Sequence, residues 1–313
     1  MKAGKLSVVV PCFNEAQVLS AFYSEIKGTL GRLKADFDVQ TELIFVDDGS
    51  KDKTAEIIKA MHRDDPRVSY IIFSRNFGKE AAMIAGMRKA TGDYVAVMDA
   101  DLQDLPEMLI AMYESLIQED CDCVAARRIS RNGEPRIRSF LARKFYKWVN
   151  RLSKTEIVDG ARDFRMMTRK MVDAVLAVKE YNRFSKGIFS WVGFETKWLP
   201  YENCERAAGK SKWSVRKLFL YSLDGIISYS TLPLAFASFA GLFFCLAAFV
   251  LICVIIAKTL IWGDPVAGYP SMICVIFFIG GLQLFCMGIL GQYLSKVYLE
   301  VKGRPLYIIK EDS

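Results

Sequence analysis

The chain has 313 residues, of which 52% are apolar and 25% are charged, with a formal net charge of +7. This length exceeds one α/β domain of ordinary size, and the mixed composition indicates a soluble part joined to a lipid-embedded part. The eight cysteines lack CxxC zinc spacing and partly lie in apolar runs, which argues against a disulfide framework and favours a reduced, cytosolic compartment. With His62 as the one histidine, in a polar stretch, chemistry that requires a histidine base or histidine ligands is not expected.

Strand and helix patterns alternate through the first two hundred residues. The strand-like runs lie at residues 6–10, 42–46, 68–73 and 93–98, and helical patterns lie between them at 16–30, 54–61 and 79–90. The strand-like runs are continuously apolar, as in strands that are buried on both faces. The alternation predicts an α/β fold with a mostly parallel sheet and helices on both faces. The N-terminus enters the first strand directly and lacks the apolar stretch of a secretory signal.

A polar cluster follows each of the four predicted strands. The clusters are PCFNE at 11–15, DDGS at 47–50, SRNFGK at 74–79 and DADLQD at 99–104. In open α/β sheets, ligands bind at the carboxyl ends of the strands. The four clusters are therefore predicted to form one site.

The Asp99-Ala100-Asp101 sequence indicates a metal site. Residues i and i+2 of an extended backbone point the same way, so two carboxylates can share a hard cation, with Gln103 as a further oxygen ligand. Such a cation would neutralise a diphosphate leaving group. The alternative is a helix cap beside a surface acid, and Asp104 before Leu-Pro-Glu does resemble a cap.

Two interpretations stay open for Asp47 and Asp48. They follow a buried strand and precede turn-forming residues, which is typical of an Asx turn with a cap. A carboxylate at this place could equally accept hydrogen bonds from a nucleobase edge.

Two apolar runs, 232–261 and 271–294, are each long enough to cross a hydrocarbon core of about 30 Å. The alternative is two buried helices of a soluble domain. The connecting loop 262–270 has no Lys or Arg, whereas basic residues precede the first run and recur through the tail 295–313. The positive-inside rule then predicts a two-helix transmembrane hairpin with both termini in the cytoplasm.

Two stretches before these runs have helical amphipathic patterns. Residues 137–152 combine an apolar stripe with basic residues, and 215–231 lead directly into the first run. The first stretch fits either a surface helix packed on the sheet or an interfacial helix at the bilayer, and we interpret it as interfacial. An acceptor with a lipid phosphate fits these features, because Arg and Lys meet phosphates at headgroup level.

The motifs VVVPCFNEA, FVDDGSKDKT, SRNFGKEAAMIAG, GDYVAVMDADLQDLPE, DGARDFRMM, NRFSKGIFSWVGF and YENCERAAGKSKW resemble those of family 2 glycosyltransferases. More narrowly, the chain resembles the polyisoprenyl-phosphate glycosyltransferases, the bactoprenol glucosyltransferase group of bacteria. The resemblance covers essentially the whole chain. It implies a GT-A-type (Rossmann-like) catalytic domain over 1–214. The implied reaction is inverting transfer of glucose or N-acetylglucosamine from a UDP-sugar to polyprenyl (undecaprenyl) phosphate.

The resemblance also implies roles for individual residues. The donor-binding positions are Pro11, Asn14, Glu15, Asp47, Asp48, Lys79, Asp99 and Asp101, and the ligands of Mg²⁺ or Mn²⁺ are Asp99, Asp101 and Gln103. Asp163 matches the proposed catalytic base, which acts with Asp101. The acceptor-phosphate positions are Arg127, Arg143, Lys147, Arg206, Lys210, Ser211 and Lys212, the last four in a loop that closes over the substrates.

The implied location is the cytoplasmic (inner) membrane, with a multi-pass chain whose catalytic domain is cytosolic. Implied partners are the bilayer, a flippase, a downstream transferase and a second copy of the chain, without nucleic acid. One alternative is a non-catalytic membrane adaptor that keeps a sugar-nucleotide fold. A processive polysaccharide synthase is disfavoured by the absence of a QxxRW motif and of further spans, and a dehydrogenase by the absence of GxGxxG.

Overall fold

The computed structural model describes residues 4–128, 158, 160–181, 183–201, 232–262 and 268–313. The chain divides into two compact units, Met1–Leu218 together with Arg304–Ser313, and Phe219–Gly303. The predicted amphipathic stretches 137–152 and 215–231 and most of the loop 262–270 lie outside the described residues. The domain limits drawn from the sequence stay predictions.

The first unit alternates strands and helices. Its elements are β1 (Lys5–Cys12), α1 (Leu19–Phe37), β2 (Gln40–Asp47), α2 (Thr54–Asp64), β3 (Val68–Phe73), α3 (Lys79–Lys89), β4 (Tyr94–Val97), α4 (Met108–Gln118), β5 (Cys123–Arg128), β6 (Ala161–Thr168), α5 (Arg169–Ala177), α6 (Ser185–Trp191) and β7 (Thr196–Tyr201). The second unit holds α7 (Leu232–Trp262) and α8 (Tyr269–Val301), and the chain returns to the first unit with β8 (Ile309–Asp312).

The described strands form one mixed sheet in the order β7-β5-β6-β4-β1-β2-β3-β8. The central strands β4, β1, β2 and β3 are mutually parallel, and β5 and β7 are also parallel to each other. The strand β6 runs antiparallel to both β4 and β5, and β8 runs antiparallel to β3. The antiparallel β6 brings its N-terminal residues to the same edge as the carboxyl end of β4.

Helices cover both faces of the sheet because successive strand residues point to opposite sides. Val8 and Val10 belong to a buried core that also contains Phe22 and Ile26 of α1. On the other face, α3 approaches so closely that a Cβ on Gly86 would overlap the side chain of Val9. The predicted α/β fold with helices on both faces is confirmed.

The helices α7 and α8 pack against each other in opposite directions. Phe244 meets Phe278 edge-on at a ring distance of 5.3 Å, and Cys286 contacts the carbonyl of Ala237. By length and composition, Val275–Val301 is the one segment among the described residues that could cross a membrane. The crossing of the bilayer by 232–261, and therefore the two-helix hairpin as a transmembrane unit, stays a prediction.

The last residues of the chain contain a strand that the sequence patterns did not mark. The sequence predicts a cytosolic tail over 295–313, and within it α8 continues to Val301 and β8 then adds a strand to the sheet of the first unit. Four residues at the chain end carry too weak an alternation to mark a strand in advance. Pairing with β3 supplies the hydrogen bonds that an isolated strand lacks.

Candidate active site

The loops after β1 and β2 are tied together by the residues that the sequence assigns to donor binding. Pro11 lies in β1 beside Val46, and Asn14 follows the strand with a left-handed φ of 54°. The backbone N–H of Asn14 donates to Ser50 Oγ at 2.8 Å, and its side-chain oxygen accepts from the Lys51 N–H at 2.9 Å. The two loops therefore form one rigid rim at the edge of the sheet.

Glu15 extends this rim. Its backbone N–H donates to the hydroxyl of Thr54 at 2.9 Å, at the start of α2. The carbonyl of Glu15 accepts from the N–H groups of Val18 and Leu19, both at 3.1 Å, and so it begins α1. Glu15 thus fixes the starts of two helices at one edge of the sheet.

Asp47 and Asp48 both make local hydrogen bonds in this structure. Asp47 accepts from the backbone N–H of Ser50, three residues on, at 3.2 Å and from the Ser50 hydroxyl, so its carboxylate bonds within its own turn. Asp48 accepts from the N–H groups of Phe77 at 2.6 Å and Gly78 at 2.9 Å. Burial raises the pKa of both carboxyl groups, although these hydrogen bonds oppose the shift. Asp48 therefore joins the β2 end to the loop that precedes α3.

Lys79, the first residue of α3, lies between two carboxylates. Its ammonium is 2.7 Å from Asp99 and 2.6 Å from Asp163. The side chains of Lys79, Asp99 and Asp163 are 39%, 30% and 22% exposed, so a ligand can reach all three. Burial lowers the pKa of Lys79, but the Asp163 and Asp99 charges outweigh it and raise the pKa overall. Burial raises the pKa of Asp163, because it also disfavours the charged form of a carboxyl. The charges of Lys79 and Lys186 outweigh this effect and hold the pKa of Asp163 well below its usual range.

Asp101 and Gln103 lie on the turn that follows Asp99. Asp101 accepts from the Gln103 backbone N–H at 3.1 Å, and Leu102 between them has a left-handed φ of 56°. Gln103 Oε1 also accepts from the Arg162 guanidinium at 3.4 Å. The three residues proposed as metal ligands therefore lie on a single turn.

The donor set on this turn fits a hard divalent cation. Carboxylate and amide oxygens are the ligands that Mg²⁺ and Mn²⁺ take, and Mg²⁺ sites commonly complete their shell with substrate phosphates and water. No group of three or more His, Cys, Asp or Glu side chains in the described ranges is arranged to hold a metal. The protein's share would thus be Asp99, Asp101 and Gln103, with the remaining positions left to a diphosphate.

Asp104 does not cap a helix, as the alternative interpretation of this turn would have it. The helix α4 begins at Met108 without a side-chain cap, and Asp104 is only 2% exposed. Its carboxylate accepts from the Tyr201 hydroxyl at 2.8 Å, and Arg162 Nε donates to the same hydroxyl at 2.7 Å. Burial raises the pKa of Asp104 and brings that of Tyr201 to about 12. The buried pair of Asp104 and Tyr201, together with the partly exposed Arg162, fixes the turn that carries Asp101.

Two further charged residues near Asp163 were missed by the sequence analysis. Arg165 is 2% exposed, lies 3.7 Å from the Phe189 ring and donates to the Arg162 carbonyl at 2.9 Å. Glu80 accepts from both the backbone N–H and the hydroxyl of Ser185, the first residue of α6. For Arg165, the sequence signal was the alternation of charged and apolar residues in ARDFRMM, which places Asp163 and Arg165 on one face of β6.

Of the seven predicted acceptor-phosphate positions, only Arg127 lies within the described residues. Arg127 is exposed near the end of β5, opposite Ala161 of β6 and Pro200 of β7. The other six positions, Arg143, Lys147, Arg206, Lys210, Ser211 and Lys212, lie outside the described residues. Their roles stay predictions.

Known proteins share both the catalytic region and the full length of this chain. The model of glycosyl transferase family 2 matches residues 7–176. The bactoprenol glucosyl transferase of Shigella phage SfII is 42% identical over 307 residues, which cover 98% of this chain and 98% of the phage protein. The prophage bactoprenol glucosyl transferase homolog of Escherichia coli (strain K12) is 41% identical over 306 residues, with 98% of each chain covered.

The matched region runs from β1 into α5, and it contains Lys79, Asp99 and Asp163. The chain belongs to glycosyl transferase family 2, and it is a glycosyltransferase. Among solved structures, mannosyl-3-phosphoglycerate synthase from Rubrobacter xylanophilus aligns with a TM-score of 0.49 at 16% identity, over 71% of this chain and 72% of that one.

Proposed function

We propose that this glycosyltransferase moves a hexose, glucose or N-acetylglucosamine, from a UDP-sugar to polyprenyl phosphate. The observation that carries the proposal is the grouping of Lys79, Asp99 and Asp163 at the sheet edge of a chain that matches bactoprenol glucosyl transferases over 98% of its length. The apolar segment Val275–Val301 supports an acceptor that is itself a membrane lipid.

On the donor side, the turn Asp99–Gln103 would hold a divalent cation, Mg²⁺ or Mn²⁺, whose charge neutralises the diphosphate that leaves. The ammonium of Lys79 adds a fixed positive charge beside Asp99. Positive charge placed where the leaving group gains negative charge stabilises the transition state. The rim of Asn14, Glu15, Asp47 and Asp48 is the proposed contact for the nucleoside.

The acceptor needs little help to become a nucleophile. The second pKa of a phosphate monoester is about 6, so much of it is already a dianion near neutral pH. In the proposed step, a phosphate oxygen bonds to the anomeric carbon as the bond to the UDP oxygen breaks, and the configuration inverts. Asp163, which Lys79 keeps ionised, would position the acceptor or take a residual proton, with Asp101 on the donor side.

The proposed location is the cytosolic face of the cytoplasmic membrane. The basic residues that flank 232–261 and 271–294 support a multi-pass chain with both termini in the cytoplasm. In this proposal, Arg127 and the basic positions beyond the described ranges meet the lipid phosphate. A flippase and a downstream transferase would receive the product. The chain would form a homo-oligomer, because each copy contributes only two membrane spans.

The test is transfer of radiolabelled sugar by the purified full-length chain to undecaprenyl phosphate, with a panel of UDP-sugars. We expect a lipid-linked monosaccharide with one UDP-hexose in Mg²⁺ or Mn²⁺, and its loss in EDTA. Binding of UDP-sugar without any product would instead support the adaptor alternative. A product of many sugars would support a processive synthase.

A further inference from the structure

The C-terminal segment Arg304–Ser313 closes the sheet edge at the point where β3 ends. Ile71 pairs with Asp312 and Phe73 with Ile309, in antiparallel register. The Ser74 N–H, one residue past the strand, donates to the Ile308 carbonyl at 3.0 Å. The segment is therefore hydrogen-bonded to the first residue of the loop between β3 and α3.

Tyr307 is the side chain that connects this segment to β3 and α3, the two elements that flank the loop. Its ring stacks on Phe73 at 4.9 Å with an interplanar angle of 12°, and Phe73 in turn meets Phe77 edge-on at 5.8 Å. The Tyr307 hydroxyl accepts from Arg88 of α3 at 3.2 Å. One half-buried aromatic residue thus contacts both the strand before the loop and the helix after it.

The loop at residues 74–78 ends at the candidate active site. Its Phe77 and Gly78 N–H groups bind Asp48, and the next residue is Lys79, which contacts Asp99. The aromatic contacts of Phe77 therefore lie on the same short loop as the hydrogen bonds to Asp48.

We propose that Tyr307 is a positioning residue for the β3–α3 loop, and through that loop for Asp48 and Lys79 on the donor side. The C-terminal segment then completes the donor site instead of serving as a bare tail. The inference deepens the proposed function, because it assigns the segment to nucleoside diphosphate binding. In its simplest form, loss of the Tyr307 ring loosens the loop and weakens donor binding.

The structure offers a matched control in the same C-terminal segment. Glu311 of β8 contacts Lys59 at 2.6 Å and the Tyr70 hydroxyl at 2.9 Å, and none of these residues belongs to the loop. Further contacts at the chain end join Ser313 to Tyr70 and to Lys89. These bonds hold β8 on the sheet independently of Tyr307, so Tyr307→Ala is expected to keep the strand in place.

The experiment compares Tyr307→Ala, Tyr307→Phe and Glu311→Gln in the full-length protein. We expect Tyr307→Ala to raise the donor KM and the Kd for UDP with Mn²⁺ by about tenfold, the upper range for an aromatic contact, and to leave the acceptor KM unchanged. Tyr307→Phe keeps the stacked ring and should restore most of the affinity. Glu311→Gln should match the wild type.

Hydrogen exchange supplies a readout that does not depend on the donor. The Phe77 and Gly78 amides should exchange faster in Tyr307→Ala than in Glu311→Gln, at equal global stability. Unchanged exchange over residues 74–78, with wild-type UDP affinity, overturns the inference. Failure of the wild-type protein to bind any UDP-sugar overturns the proposed function instead, and the exchange result then still decides the role of Tyr307 in the loop.

Discussion

Asp99 and Asp163 lie across from each other at the edge of the sheet, 64 positions apart in the chain. Val97 of β4 pairs with Arg165 of the antiparallel β6, so two further steps bring Asp99 opposite Asp163. Two carboxylates that face each other in this way repel unless a cation lies between them. The ammonium of Lys79, within 2.7 Å of both, is that cation. One lysine therefore couples the two carboxylates that we propose to act on the donor and acceptor sides.

Replacement of this lysine should damage catalysis more than folding. Lys79→Met leaves Asp99 and Asp163 facing each other without the ammonium and removes a fixed positive charge from the leaving-group side. We expect turnover to fall by about 100-fold or more, the range for loss of one preorganised charge donor. The measurement is the initial rate of sugar transfer at saturating donor and acceptor.

Lys59→Met is the control for this variant, since Lys59 of α2 pairs with Glu311 of β8, away from the site. Its rate should stay within about twofold of wild type, because partly exposed ion pairs contribute little. Equal rates for the Lys79 and Lys59 variants would contradict the assigned role of Lys79.

Asp163→Asn should reduce turnover by less than about 10⁴-fold while donor binding is kept, because a phosphate dianion needs little general-base assistance. Lys79 and Lys186 hold the pKa of Asp163 low despite its burial, so this carboxyl stays ionised across the neutral range. The variant should therefore retain the shape of the pH–rate profile, including any limb from the acceptor phosphate near pH 6. A greater loss, or disappearance of an acid limb, would make Asp163 a general base in the full sense.

The sequence predicted the first four strands and the grouping of their polar ends because these features are local. Continuous apolar runs and the clusters that follow them are visible within a few residues, and the parallel order follows from the α/β alternation. The antiparallel placement of β6 depends on contacts across the sheet, which periodicity does not record. The role of Asp163 was therefore reached through family resemblance, and its position opposite Asp99 only through the structure.

The same distinction explains the errors near the site. Asp104 has the local pattern of a helix cap, yet the buried hydroxyl of Tyr201, 97 positions away, binds its carboxylate. Glu80 looks like an ordinary acid in the first turn of a helix, yet it binds Ser185, 105 positions later. Such residues are selected by long-range partners, and no short window of sequence contains both members of either pair.

Glu80 gives a prediction about pH. Burial and the nearby Asp163 raise its pKa from 4.5 to about 7, against the effect of Lys79 and Arg183. Between these two values the native state binds more protons than the unfolded state, so this group makes stability fall as pH rises through that window. Glu80→Gln removes the titration, and the variant should lose less thermal stability than wild type between about pH 5 and pH 8.

The comparison for Glu80→Gln is Glu56→Gln, at an exposed glutamate in the first turn of α2. This variant should reproduce the wild-type difference between the two pH values. If Glu80→Gln shows the same difference in thermal stability as the wild type, Glu80 does not have a raised pKa in the folded protein.

Gly49 is the residue that lets the β2 end meet the loop before α3. Its φ of +66° lies in the left-handed region, and a Cβ would come within 2.7 Å of the Arg75 Cα and 2.8 Å of the Asn76 nitrogen. Because these neighbours are backbone atoms, Gly49→Ala must shift the loop whose amides bind Asp48, in addition to about 1 kcal/mol of conformational strain. We expect a lower melting temperature together with weaker UDP binding.

Gly28→Ala separates strain from the simple addition of a methyl group. Gly28 is exposed in the middle of α1, and no atom lies within 4 Å of the position of a new Cβ. Alanine in a helix interior is favoured over glycine by about 0.5–1 kcal/mol, so this variant should melt at a slightly higher temperature with unchanged UDP affinity. Gly49→Ala should differ from it in the sign of the stability change and in donor affinity. Equal behaviour of the two variants would show that the contact between the β2 end and residues 75–76 is not required for the donor side.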